Sequence, residues 1–212
     1  MPSELFSFCV VAMLFALSPG PDTVLVVSRA LAHGRHSALR TALGCASGLL
    51  VWGIASAVGV AAIFNASATL FTALKLAGAA YLIVLGLHAI GRAHHHASKA
   101  IQTMGAQPPH RPQPPRWTFR HGLLTNLLNP KAGVFFIAVL PQFIHASDNV
   151  LTTTLIFAVV DTCISMFALS LYMTLALGAG SLLRRPAAGR AVDRISGASL
   201  IIFGIRLATS AQ

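Results

Sequence analysis

Apolar residues do not alternate with polar ones along this chain; they run on. Between short polar breaks lie stretches of about 20 or more residues almost free of charge, the length that crosses a hydrocarbon core of about 30 Å. Six such stretches are predicted, at 4–31, 41–64, 68–91, 120–144, 150–178 and 193–210. The first qualifies only if its helix resumes after the interruption "SPGPD" (18–22), so a five-span alternative stays open. The pattern predicts an all-α polytopic membrane protein.

Composition agrees, since 55% of the 212 residues are hydrophobic and only 9% are charged, against roughly a quarter charged in a soluble domain. A net charge of +10 invites a nucleic-acid reading, but the basic residues are scattered between apolar runs and form no basic face, so no nucleic-acid partner is expected. Their placement instead sets topology. Arg29, Arg35 and Arg40 fall in the first connection, Arg92, Lys99, Arg111, Arg116 and Arg120 in the third, and Arg184, Arg185, Arg190 and Arg194 in the fifth. Twelve of the fifteen cations thus occupy alternate connections, which predicts that these are cytoplasmic and that both termini lie outside. The N-terminal MPSELF has no cation and its apolar run continues, so no cleaved signal is expected. Arg206 lies near the far end of the last span, Lys75 and Lys131 remain within spans, and Lys75 is close enough to an end to snorkel.

Cys9, Cys45 and Cys163 all lie in apolar runs and have neither disulfide nor zinc spacing. The third connection, containing "HHHASKAIQTMGAQPPHRPQPPR", cannot build a core and reads as a linker. Its His94, His95 and His96 are adjacent and lack fixed geometry, so neither a metal site nor a cofactor is expected. No HExxH or GxSxG pattern occurs, which disfavours an intramembrane enzyme.

The chain also repeats itself. "LSPGPDTVLVV" (17–27) aligns with "LNPKAGVFFIA" (128–138), and "KLAGAAYLIVLGL" (75–87) with "RISGASLIIFGI" (194–205). This predicts two three-span halves, 1–91 and 120–212, joined by a linker at 92–119. Because three is odd, the halves form inverted repeats, with broken helices in spans 1 and 4. Paired Gly/Pro-interrupted helices of this kind mark a transporter's binding site near the midplane. Ser18 and Asn129 are expected as helix N-caps, with Pro19 and Pro130 at the first helical position.

Counted along the helices, Asp22, Lys131 and Asp161 lie about 14–16 Å into the membrane. A charge there costs at least about 2.5–3.5 kcal/mol on insertion scales and usually faces a cavity or a partner. Lys131 opposes the dipole of its own helix, so it is expected to receive an anionic group or to pair with Asp22 or Asp161. Two carboxylates, one ammonium and two helix N-termini suit a zwitterion such as an amino acid, and Asp22 and Asp161 are candidates for carrying coupling protons. The expected substrate site is Ser18, Pro19, Gly20, Pro21, Asp22, Asn129, Pro130, Lys131 and Asp161.

"SPGPD", the connection "ALAHGRHSALRTALGCASG" and "NLLNPKAGVFFIAVLPQF" together resemble the LysE/RhtB family of bacterial amino-acid exporters over nearly the whole chain. The resemblance implies efflux of an amino acid or derivative across the bacterial inner membrane, driven by a proton or other ion gradient. Carried over by position, its motif residues are Pro19, Gly20, Pro21, Asp22, Asn129, Pro130, Lys131, Pro141, Gln142 and Phe143. The His/Pro-rich insertion keeps a heavy-metal cation exporter of the same superfamily as the alternative. Small-residue faces such as "GCASGLLVWGIASAVG" suit close helix packing within one chain or between copies in a homo-oligomer.

Overall fold

A computed structural model of the protein describes residues 2–66, 68–95, 115–144 and 149–178, with positions 194, 198, 201, 202, 204, 205, 208 and 209 of the last segment. Most of the linker, the fourth connection at 145–148 and most of the sixth predicted span lie outside the described residues. What is described is helical. Helix α1 spans Pro2–Leu17, α2 Pro21–Ala66, α3 Ala68–His95 and α4 Pro115–Leu127. Helix α5, Pro130–Val134, continues through a π-helical turn, Phe135–Val139, into a 3₁₀ turn, Leu140–Phe143, and α6 spans Val150–Gly178.

The 46 residues of α2 are not one rod. Gly34 has φ 76° and ψ 179°, a left-handed backbone that glycine adopts without a Cβ penalty. In a straight helix Asp22 and Cys45 would be about 35 Å apart; here both line one cavity. The chain therefore doubles back at Gly34, and the predicted first connection is a tight helical hairpin turn. Val26 and Ala30 before the turn pack in one buried cluster with Ala38, Ala42 and Cys45 after it, joined by Leu169 and Met173 of α6. Arg29 Nη2 donates to His121 Nδ1 at 2.8 Å, so this hairpin meets α4 near its basic beginning.

The fourth predicted span is a broken helix. Trp117–Leu127 and Pro130–Phe143 are inclined by 51° across a short break. Val150–Gly178 is long and apolar enough to cross a membrane as one piece. Large side chains such as Phe6, Val58, Leu128 and Phe167 face outward, as a surface covered by lipid allows and one covered by water rarely does.

Glycines set the helix spacing. A Cβ on Gly44 would overlap the Phe119 carbonyl, and one on Gly122 would overlap that of Thr41. Gly48 meets Asn126, and Gly53 meets Ala158 of α6. Thr41 faces Gly122 and Gly48 faces Asn126, so the second arm of α2 and α4 run in the same direction. Without water to drive apolar helices together, such backbone contact supplies the packing energy.

The first break differs in detail from the sequence expectation. Ser18 is not an N-cap, nor is Pro19 the first helical residue. The Ser18 N–H still bonds back to the Leu14 and Phe15 carbonyls, at 3.2 Å each, and so closes α1. The next helix begins at Pro21, and the Gly20 carbonyl accepts its first bond, from Val24 N–H at 3.0 Å. At the second break the expectation holds: Asn129 Oδ1 accepts from Lys131 N–H at 3.1 Å, and Pro130 follows it as the first helical residue.

Candidate functional site

The two breaks lie against each other and enclose a cavity of about 50 Å³ open to water-sized molecules. Ser18, Gly20, Asp22, Asn129, Lys131 and Asp161 all line it. Pro19, Pro21 and Pro130 do not line it; they shape the backbone that does. Three charges far apart in the sequence are thus brought to one space.

Asp22 stands in the first turn of its helix, where the N-terminal dipole favours a carboxylate. Its Oδ2 accepts from Asn126 Nδ2 at 2.8 Å and from Asn129 Nδ2 at 3.1 Å. Its Oδ1 is buried without a hydrogen-bond partner among the described residues, as is Asn126 Oδ1. A buried carboxylate oxygen in that condition calls for a donor or a cation.

Lys131 begins the opposite half-helix, where its charge opposes the local dipole. The geometry resolves the conflict. Its ammonium reaches the C-terminal end of α1, donating to the Phe15 carbonyl at 2.7 Å and to the Ser18 carbonyl, with Nζ 4.6 Å from the centre of the Phe15 ring. The negative end of one helix dipole thereby receives the cation that the positive end of another disfavours. These carbonyls hold the ammonium as a helix C-cap, and its charge also acts on Asp22 and Asp161, which share the cavity. Tyr172 completes that cap, its hydroxyl donating to the Leu17 carbonyl at 2.6 Å.

Asp161 is 3% exposed and shares one face of α6 with Ser165 and Leu169, four and eight residues on, all lining the cavity. Thr162 is not part of that face; its hydroxyl bonds the Ala158 carbonyl at 2.7 Å. Below the cavity an aromatic cluster closes the space, with Phe8 stacked on Phe157 at 4.6 Å and Phe15 against Phe135 at 4.7 Å. Among the described residues no group of three or more His, Cys, Asp and Glu side chains is placed to hold a metal ion.

Sequence reasoning missed Asn126, which is fully buried at the end of α4. The signal was present: Asn126 and Asn129 are three residues apart, one helical turn, within an otherwise apolar span. It also missed Thr23, which adjoins Asp22 in the chain, and Cys45 and Phe15, whose spacing does not tie them to Asp22.

A family model described as "LysE type translocator" matches residues 13–211. The chain belongs to that family. It is 29% identical over 208 residues to the "Homoserine/homoserine lactone efflux protein" of Salmonella typhimurium, covering 97% of this chain and 96% of that one. It is 33% identical over 152 residues to the "Threonine efflux protein" of Escherichia coli, covering 70% and 71% respectively. An "Uncharacterized membrane protein YrhP" of Bacillus subtilis is 27% identical over 211 residues, 98% of this chain and 99% of that protein. No solved structure matches the chain.

Proposed function

We propose that the protein is a secondary transporter that exports an amino acid or amino-acid derivative across the bacterial inner membrane. One observation carries this reading: half-buried Asp22 has one carboxylate oxygen bonded twice and the other buried without a hydrogen-bond partner among the described residues, in a cavity shared with Lys131 and Asp161. The substrate ammonium docks at Asp22 Oδ1, with Asp161 beside it. Its carboxylate turns toward the charge of Lys131 and the N-terminus of α5, which favours anions. The hydroxyl-bearing Thr23 and Ser165 in the walls favour a small polar side chain. The efflux proteins named above for homoserine and threonine support that class. Nothing comparable supports the heavy-metal alternative.

In this reading the coupling ion is a proton, carried by Asp22 or Asp161. The two breaks belong to inverted three-span halves, 1–91 and 120–212, whose rocking about the site exposes it to each side in turn. Vesicles loaded with a panel of labelled amino acids test the function. Threonine- or homoserine-sized substrates are expected to leave faster than from vesicles lacking the protein, and a protonophore is expected to slow that gradient-driven efflux. Equal rates for every amino acid with and without the protein would refute the reading.

Orientation is checked separately. In a background lacking Cys9, Cys45 and Cys163, a single cysteine at Ser3 is expected to react with an impermeant thiol reagent from outside, and one at Arg35 only after the membrane is opened. The reverse pattern would overturn the assignment of both termini to the outside.

A further inference from the structure

In transporters with broken helices, main-chain carbonyls at the C-terminal end of a half-helix are the groups that coordinate a free cation. Here the corresponding end, at Phe15–Ser18, is filled by a side chain. Two carbonyl oxygens, of Phe15 and Ser18, and the Phe15 ring contact the Lys131 ammonium. The cage is formed by the first half of the chain and its occupant comes from the second, from a residue 113 positions on from Ser18.

We propose that Lys131 is a tethered cation seated in an ammonium-binding cage made by the Phe15 and Ser18 carbonyls and the Phe15 ring, and that removing the side chain leaves a site for a free small ammonium ion. The chemistry selects the ligand class. An N–H-bearing cation satisfies two directed carbonyls and a π-face together. Sodium demands a shell of oxygens, and here the Phe15 ring takes up one side. The charge is thus built into the chain, and the occupant sets the field that a substrate carboxylate meets. Lys131 is a positioning residue in this scheme, because it holds the first break closed against the second half. Its role in transport rests on the exporter reading; the existence of the cage does not.

The test is Lys131→Ala, followed in native membranes by the temperature at which the tagged protein aggregates, so that no extraction step is needed. Ammonium and methylammonium chloride are compared with sodium, choline and tetramethylammonium chloride. The variant is expected to be several degrees less stable than wild type in choline and to regain much of that loss in methylammonium, with no response to tetramethylammonium. The wild type, whose cage is filled, is expected to respond to none. A variant that ignores methylammonium, a variant that responds to sodium instead, or a wild type that responds equally would each overturn the cage. Export by Lys131→Ala vesicles in the same salts adds the functional arm, with recovery of at least tenfold over choline expected in methylammonium. If wild-type vesicles export no amino acid while the stability response persists, the exporter reading fails and the cage stands. If wild type exports and the variant's stability ignores methylammonium, the cage alone fails.

Discussion

Asp22→Asn is expected to lower export by about 100-fold or more while leaving the protein folded and inserted. The substitution keeps the shape of the side chain, and its one remaining carbonyl oxygen can still accept from Asn126 and Asn129, now at 2.8 and 3.1 Å from Asp22 Oδ2. What it removes is charge. Truncating one partner of a buried, hydrogen-bonded charge pair costs about 2–5 kcal/mol, and each 1.4 kcal/mol is about tenfold. The opposing account holds that Asp22 serves only to stabilise the N-terminus of its helix and to pin α4. That account predicts export within a few-fold of wild type, since asparagine caps and bridges nearly as well. Export rate per inserted molecule, measured from loaded vesicles, separates the two, and a near-normal rate would remove Asp22 from the substrate site.

Gly122→Val and Gly44→Val are each expected to remove most folded protein from the membrane. A Cβ at either position meets main-chain carbonyl of the neighbouring helix, Thr41 in one case and Phe119 in the other, and backbone cannot step aside as a side chain can. Overpacking a well-packed contact typically costs about 1–3 kcal/mol, and more where two helices must separate along their length. Losses of about 1–2 kcal/mol already change cellular abundance several-fold. Gly59→Val is the matched control, because among the described residues nothing lies within 4 Å of a Cβ there. Quantitative blotting of membranes, with thermal aggregation of what remains, checks the expectation. Equal abundance of all three variants would mean that α2 and α4 do not depend on this contact.

Both expectations show how differently two kinds of information were distributed along the chain. The membrane character, the positions of the described spans and the existence of two breaks were legible in the sequence, because a bilayer imposes a one-dimensional demand: about 20 apolar residues per crossing, and proline or glycine only where something else satisfies the freed backbone. The fourth and fifth predicted spans, 120–144 and 150–178, correspond to the helices Trp117–Phe143 and Val150–Gly178 for this reason. The meeting of Asp22, Lys131 and Asp161 was also foreseen, since three costly charges at one depth have little reason to be there apart. Family membership followed from motifs that stand in the sequence unaided.

The partners of those charges were decided by the tertiary structure. Periodicity placed Lys131 at the wrong end of its helix for a cation, and sequence reasoning supplied an anionic group or an aspartate as the remedy. The fold added the carbonyls of Phe15 and Ser18 more than a hundred residues away, which carry no side-chain signal at all. Asn126 could be found as a polar residue in an apolar span, but its role as donor to Asp22 required the second arm of α2 to run beside α4 at the spacing that Gly44, Gly48 and Gly122 permit. The same holds for Gly34, one glycine among 17, which turns α2 back on itself and thereby carries Cys45 into the cavity wall beside Asp22. Which residues must leave water is written locally, residue by residue; which of them satisfy one another depends on close backbone approach between segments, and distance along the chain says nothing about that.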